Sequence, residues 1–285
     1  MKGLFDQARA GQTVELAEAK SLVQRLSSVP MDWPSVLLSL IERHTEDNYL
    51  YSHSANVCCF SYHLGRCMGY DSDVSTQLGL AGLVQDIGMA GRPEEVATEA
   101  GEFTEEDRKI VMEHPAISVE RLQQAPELSK EMLEAIKGHH ERQQGQGYPN
   151  ALERRTIPYY AKILAVCDVY DALTHPRSHR KRHSPAQAIK ILIDGSQDEF
   201  NRRVVKALVD ELTLYPKSSP VKLSTDELGV VSEVHRQAPL RPVILVTHDA
   251  QQVPLQTPRR VDLLDQPFLY IKELIEELPG IGGSS

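Results

Sequence analysis

Apolar residues recur at helical spacing from near the N-terminus to about residue 213, then give way to short β-branched runs. Val14 to Leu26 and Trp33 to Arg43 read as helices divided by Val29-Pro30. A longer helix is expected from about Leu50 to Met68, with Val57, Phe60 and Leu64 on one face. Another follows Asp73 and runs towards Asp86. Thr104 to Asp107 resembles a capping box, with Asp in the place of Glu, and opens a helix through Val111. Pro115 to Gln123 and Ser129 to Gly138 read as two further helices. Ile157-Pro158 starts one that carries Ile163, Val166 and Tyr170. Ser184-Pro185 caps the next, and Asn201 to Leu212 forms the last long helix.

Beyond Tyr215-Pro216 the period changes. Gly229 to His235 and Pro242 to Thr247 read as strands bounded by turn residues, in a β-rich stretch that continues to about Ile271. The pattern predicts a mainly α fold, a helical bundle with a small β-rich C-terminal appendage. Its expected parts are an N-terminal helical segment packed on the core (1–48), the main helical domain (49–215), the appendage (216–273) and a frayed tail (274–285).

Composition narrows the picture. A hydrophobic share of 41% with 17 glycines is enough to bury a core without disulfides or metals. The net charge of −9 argues against a protein that coats a nucleic-acid polymer, but leaves room for a local pocket for a small phosphorylated ligand. The N-terminus has no apolar signal stretch, and runs such as Val243 to Val246 are far too short to span a bilayer, so a soluble, cytoplasmic chain without membrane insertion is expected. The four cysteines (Cys58, Cys59, Cys67 and Cys167) form no CxxC pair and read as reduced helix residues.

The 11 histidines exceed what packing calls for. His53, His114, His139 and His140, with Asp86 and Asp168, fall within or at the ends of predicted helices. Asp86 ends the apolar stretch Leu78 to Val84, and Asp168 lies between Val166 and Val169. A carboxylate in such company is costly to bury unless it is paired or bound to a cation. Taken singly, each residue also fits a hydrogen-bonded core or an ion pair. Together, imidazoles and carboxylates from separate helices are the material of a helical metal site. His44, His63, His175, His183, His235 and His248 read as structural.

The strings around these residues are His53-Ser54, Asp86-Ile87-Gly88, His114-Pro115, His139-His140-Glu141-Arg142, Gly147-Tyr148-Pro149 and Asp168 to Leu173. In this order and spacing the chain resembles the HD-GYP family over roughly residues 49 to 213. These are helical, metal-dependent phosphodiesterases of the HD superfamily that act on cyclic di-GMP in bacterial signalling. The resemblance implies an HD-domain bundle and assigns His53, Asp86, His114, His139, His140 and Asp168 as metal ligands, with Asp86 bridging. It implies one or two divalent ions, iron or manganese foremost. It puts Gly147, Tyr148 and Pro149 in the loop beside the nucleotide; the same loop also reads as an ordinary turn with Tyr148 packed. Arg177 and Arg180 match arginines that grip a phosphate or a guanine edge, and equally read as a solvated basic run.

Departures from the family concentrate in the site. Gln85 replaces the His of the His-Asp pair, which removes an imidazole. Met89 stands where the family carries Lys, Glu99 replaces another Lys, and Gln144 replaces Asp in the signature loop. Tyr49 takes the place of the Glu found in three-metal members. Two readings follow: a cyclic di-GMP phosphodiesterase with a weakened site, or an inactive HD-GYP domain that binds the dinucleotide or docks a signalling partner. A general HD-superfamily nucleotidase ranks below both, because the Gly-Tyr-Pro loop marks the cyclic-dinucleotide branch. A homodimer is compatible with the sequence.

Overall fold

The computed structural model describes residues 2–28, 36, 39–40, 49–91, 104–175, 183–212, 215, 217–235, 238–275 and 278–279. The helix expected over Trp33 to Arg43 lies largely outside them, as do Glu99, Arg177 and Arg180. The chain divides into two compact units, Met1–Glu211 and Leu212–Ser285.

The first unit is helical. Helices α1 (Lys2–Arg9) and α2 (Ala17–Arg25) bury Phe5, Ala8, Ala19 and Val23. Helix α3 (Tyr49–Cys67) packs along α4 (Ser72–Val84), and a short 3₁₀ turn, Ile87–Met89, follows. Next come α5 (Glu105–Leu122), α6 (Lys130–Lys137), α7 (Tyr159–Thr174), α8 (Pro185–Gly195) and α9 (Arg202–Glu211). Helix α4 packs against α7, and Leu78, Leu80, Val84 and Ile87, like Ile163, Leu164 and Val166, are fully buried. Burying each such side chain contributes about 1.5–3 kcal/mol.

Local chemistry sets the helix starts. Asp71, in extended conformation, accepts from the Val74 amide at 2.8 Å, so α4 begins at Ser72, slightly before the expected start after Asp73. Thr104 and Asp107 form the reciprocal capping box, and Ser129 and Ser184 cap α6 and α8. One helix boundary is corrected. The break at Pro115 does not occur, and Glu105–Leu122 is a single helix. Proline lacks the N–H that would bond the Val111 carbonyl. His114 supplies a substitute donor, with its Nδ1 2.6 Å from that oxygen.

The second unit is an antiparallel sheet in the order β4-β3-β2-β1-β5. Its strands are β1 (Pro220–Leu223), β2 (Leu228–Glu233), β3 (Val243–His248), β4 (Pro254–Asp262) and β5 (Ile271–Leu274). The register pairs Val221 with Gly229, Val231 with Ile244, and Ile244 with Val261. Val221, Leu223, Val231, Val243, Ile244, Val246 and Leu263 are buried. The tail expected to fray from residue 274 is ordered further: Leu274 pairs with Val221, Leu278 is buried, and the Pro279 carbonyl lies 3.0 Å from His248 Nε2. A chain end stays packed where it has a ladder partner and an apolar contact.

Among the described residues no helix is long and apolar enough to cross a membrane.

Candidate metal centre

Three helices, α3, α5 and α7, and the turns after α4 and α6 converge on one buried cluster. His53 comes from the second turn of α3, and Asp86 from the turn between α4 and the 3₁₀ segment. His114 comes from α5, His139 and His140 from the end of α6, and Asp168 from α7. All except the half-buried His140 are buried.

Asp86 occupies the centre. Its Oδ1 lies 3.2 Å from His114 Nε2 and 3.4 Å from His139 Nε2, while its Oδ2 lies 3.3 Å from His53 Nε2. His53 Nε2 is also 3.0 Å from Asp168 Oδ1. Two overlapping donor groups result, Asp86 with His114, His139 and His140, and His53 with Asp86 and Asp168. Within each group the donor atoms lie within 4.8 Å of one another. Both are sets of imidazole nitrogens and carboxylate oxygens, which suit a divalent N/O-binding metal.

Surrounding groups aim the histidines. His114 and His139 each donate from Nδ1 to a carbonyl one turn back, Val111 and Ile136, both at 2.6 Å. That fixes the tautomer and points Nε2 inward as a lone pair. His53 Nδ1 lies 2.8 Å from Asp171 Oδ2, so its Nε2 faces the cluster. Asp171 is fully buried and also meets His175 Nδ1 at 3.1 Å and Asn56 Nδ2 at 2.8 Å. Sequence reasoning missed Asp171. It stands one helical turn after Asp168 on the same face, the one local clue that both serve one site.

The Asp86 turn is held by close backbone approach. Ser118 Oγ donates to the Gln85 carbonyl at 2.6 Å and accepts from the Gly88 amide at 2.9 Å. A Cβ on Gly88 would collide with the His114 carbonyl, so only glycine lets α5 come this near.

The Gly147-Tyr148-Pro149 loop lies against the cluster. Tyr148 stacks on His140 with ring centroids 4.6 Å apart and an interplanar angle of 22°, and its amide donates to the His140 carbonyl at 3.3 Å. Gly147 passes so close to His140, Glu141 and Arg142 that any side chain there would strike backbone. The Tyr148–Pro149 peptide is cis. Glu141, also missed as a functional position, clasps the loop: its two carboxylate oxygens accept from the Asn150 and Leu152 amides, both at 2.8 Å. Its clue was its place in the His139 to Arg142 string.

The altered positions are placed as follows. Gln85 is fully buried, and its Nε2 donates to Asp168 Oδ1 at 2.8 Å. Its Oε1 has no hydrogen-bond partner among the described residues, an acceptor aimed at nothing beside a donor cluster. Met89 is buried in the 3₁₀ turn. Gln144 is exposed and bonds Asp198. Tyr49 packs parallel to His53, with ring centroids 5.4 Å apart, and edge-on to His175 at 4.7 Å.

Electrostatics follow from burial and crowding. Burial opposes ionisation of Asp86, but hydrogen bonds with His114, His139 and His53 outweigh it and hold its carboxyl well below the usual range. Burial likewise opposes charging of His53, yet Tyr49 and the Asp168, Asp171 and Asp86 carboxylates raise its pKa well above normal. His139 is raised against burial by Asp86 and Asp168. His140 is pushed well down by burial and by its neighbours His139, His114 and Arg142, so it is a neutral imidazole ready to ligate.

The fold and the cluster together define a helical protein whose packed helices present a His/Asp centre suited to divalent metal. The chain belongs to the HD domain family, whose profile matches residues 36–204. A second profile, a KOW domain associated with HD domain, matches residues 220–278. A cyclic di-GMP phosphodiesterase of Pseudomonas aeruginosa is 34% identical over 253 residues, covering 88% of this chain and 61% of that protein. A 3'3'-cGAMP-specific phosphodiesterase of Vibrio cholerae is 30% identical over 175 residues, covering 61% of this chain and 39% of that protein. The chain thus spans less than two thirds of each relative. An HDG"Y"P protein from Bdellovibrio bacteriovorus shares the fold at a TM-score of 0.55 and 19% identity, covering 66% of this chain and 60% of that one.

Proposed function

We propose that this chain is an HD-GYP-type phosphodiesterase that hydrolyses a cyclic dinucleotide, cyclic di-GMP foremost, at a metal centre formed by His53, Asp86, His114, His139, His140 and Asp168. The observation that carries the reading is the division of Asp86, with one oxygen towards His114 and His139 and the other towards His53. A carboxylate shared in this way is the bridging element of a two-site cluster.

Iron or manganese bound there would lower the pKa of water and neutralise phosphate charge, the two requirements for opening a phosphodiester at neutral pH. The chain's own residues prepare for it. The Val111 and Ile136 carbonyls and the Asp171 carboxylate keep the His114, His139 and His53 Nε2 atoms turned inward. Tyr148 holds His140 in place and, being half-buried, offers an apolar rim to a purine base. Gly147 and Pro149 shape that rim. Arg177 and Arg180 are proposed as phosphate or guanine contacts.

The second reading is a binding domain without turnover, for the dinucleotide or a signalling partner. It is favoured by Gln85, which spends a hydrogen bond on the Asp168 oxygen that His53 also faces, and by Met89, which brings no positive charge to the turn. One experiment separates the two. The purified chain is loaded with manganese or iron, its metal counted, and incubated with cyclic di-GMP and, in parallel, 3'3'-cGAMP. Linear pGpG or GMP is the expected product. Metal-replete protein that binds the intact dinucleotide in calorimetry and never cleaves it would establish the second reading instead.

A further inference from the structure

Another donor cluster lies outside this centre. His63 sits ten residues beyond His53 on α3, roughly 15 Å along the axis. Cys67 follows one turn later on the same face, and Glu211, the last residue of α9, reaches the same spot. His63 Nε2 lies 3.1 Å from Glu211 Oε2 and 3.4 Å from Cys67 Sγ, and all three donor atoms fall within 4.8 Å of one another. A tetrahedral zinc ion with ordinary bond lengths sets N···O and N···S edges of about 3.3–3.6 Å. The 3.1 Å and 3.4 Å separations therefore need almost no adjustment to receive one.

The convergence is also of the wrong kind for a nucleophilic triad. Such a triad engages its acid and its nucleophile through different ring nitrogens. Here the carboxylate and the sulfur both lie nearest Nε2, while Nδ1 is 3.8 Å from the sulfur. A shared position between the three atoms is what a cation occupies. Burial lowers the His63 pKa against the pull of Glu211, which favours the neutral, ligating imidazole. The exposed Cys67 leaves a fourth position open to water.

We propose that His63, Cys67 and Glu211 form a second cation site, selective for zinc-type ions, that clamps the end of α9 to α3. Thiolate, imidazole and carboxylate together select a borderline-soft ion rather than the hard ions served by oxygen alone.

Cobalt(II) titration of the whole chain tests it. The HD-type centre contains no sulfur donor, so a thiolate-to-cobalt charge-transfer band reports on the second site alone. Wild type is expected to show that band, rising to the intensity of one thiolate-bound cobalt per chain, with the strong visible absorption of tetrahedral cobalt. Cys67→Ser should abolish the band, Glu211→Gln should weaken binding, and Cys59→Ser should leave both unchanged. Cys67 is exposed, so its replacement leaves the core intact, which circular dichroism checks. Cobalt binding without a sulfur band, or a band that survives Cys67→Ser, overturns the proposal. Failure of the HD-type centre to take metal would leave the band untouched, so the two readings fail separately.

Discussion

Asp86 and Gln85 are neighbours with opposite consequences. Asp86 ties both donor groups together, whereas Gln85 brings an amide where its family relatives by resemblance bring an imidazole, and binds Asp168 instead. Gln85→His is therefore expected to raise manganese content towards two equivalents per chain, read by elemental analysis of manganese-loaded Cys67→Ser protein. An unchanged content would show that the amide is not what restricts the second position. Asp171 is the other decisive residue. Its removal as Asp171→Asn leaves His53 and His175 without their buried carboxylate, and a loss of about 3–5 kcal/mol in urea unfolding is expected. Burial opposes its ionisation, but His175 and His53 hydrogen bonds hold its carboxyl below the usual range. The folded value is thus depressed, so this stabilisation is present above about pH 4 and lost as pH falls below it. The difference between wild type and Asp171→Asn should shrink on acidification through that range.

At the scale of elements, α5 shows how a helix can be built around a ligand. Pro115 removes the donor for the Val111 carbonyl, and His114 Nδ1 fills the gap at 2.6 Å. The proline thereby helps to hold the imidazole in its inward-facing tautomer. Pro115→Ala restores a competing backbone N–H. The helix should be kept or stabilised while metal affinity falls roughly tenfold, in line with the loss of a ligand-orienting hydrogen bond. Chelator competition, with circular dichroism alongside, would show it; unchanged affinity would mean that the carbonyl does not orient His114. The same helix explains why one boundary was misread. Proline ends a helix when its orphaned carbonyl has no other donor, and the His114-Pro115 pair provides that donor locally. The capping residues Thr104 and Ser184 were legible because each cap is satisfied within three residues.

For the molecule as a whole, metal, protons and folding are linked. His53 and His139 have folded-state pKa values raised above the ordinary histidine value by the neighbouring carboxylates, so without metal they hold their protons to higher pH than a free histidine does. Their contribution to the metal-free fold is full below about pH 6.5 and fades as pH rises through the raised values. Metal binding must expel those protons, so its apparent affinity should increase above pH 6.5. The thermal midpoint gained on adding manganese should accordingly be larger at pH 8 than at pH 6.5, and calorimetry in buffers of different ionisation enthalpy should register proton release. A midpoint shift independent of pH would mean that these two histidines are not ligands.

Much was set by the chain alone. The helical period to about residue 213, the β-branched runs after it and the caps depend on neighbours a few residues apart. The strings around His53, Asp86, His114, His139 and Asp168 were likewise readable in order. Only the tertiary structure decided that Asp171 supports His53 from 118 residues away, that Glu141 clasps the Tyr148 loop, that Gln85 bonds Asp168, and that His63, Cys67 and Glu211 meet. Those facts depend on where separate helices bring their side chains together in space, and a linear pattern encodes the face a residue occupies without naming the partner across from it.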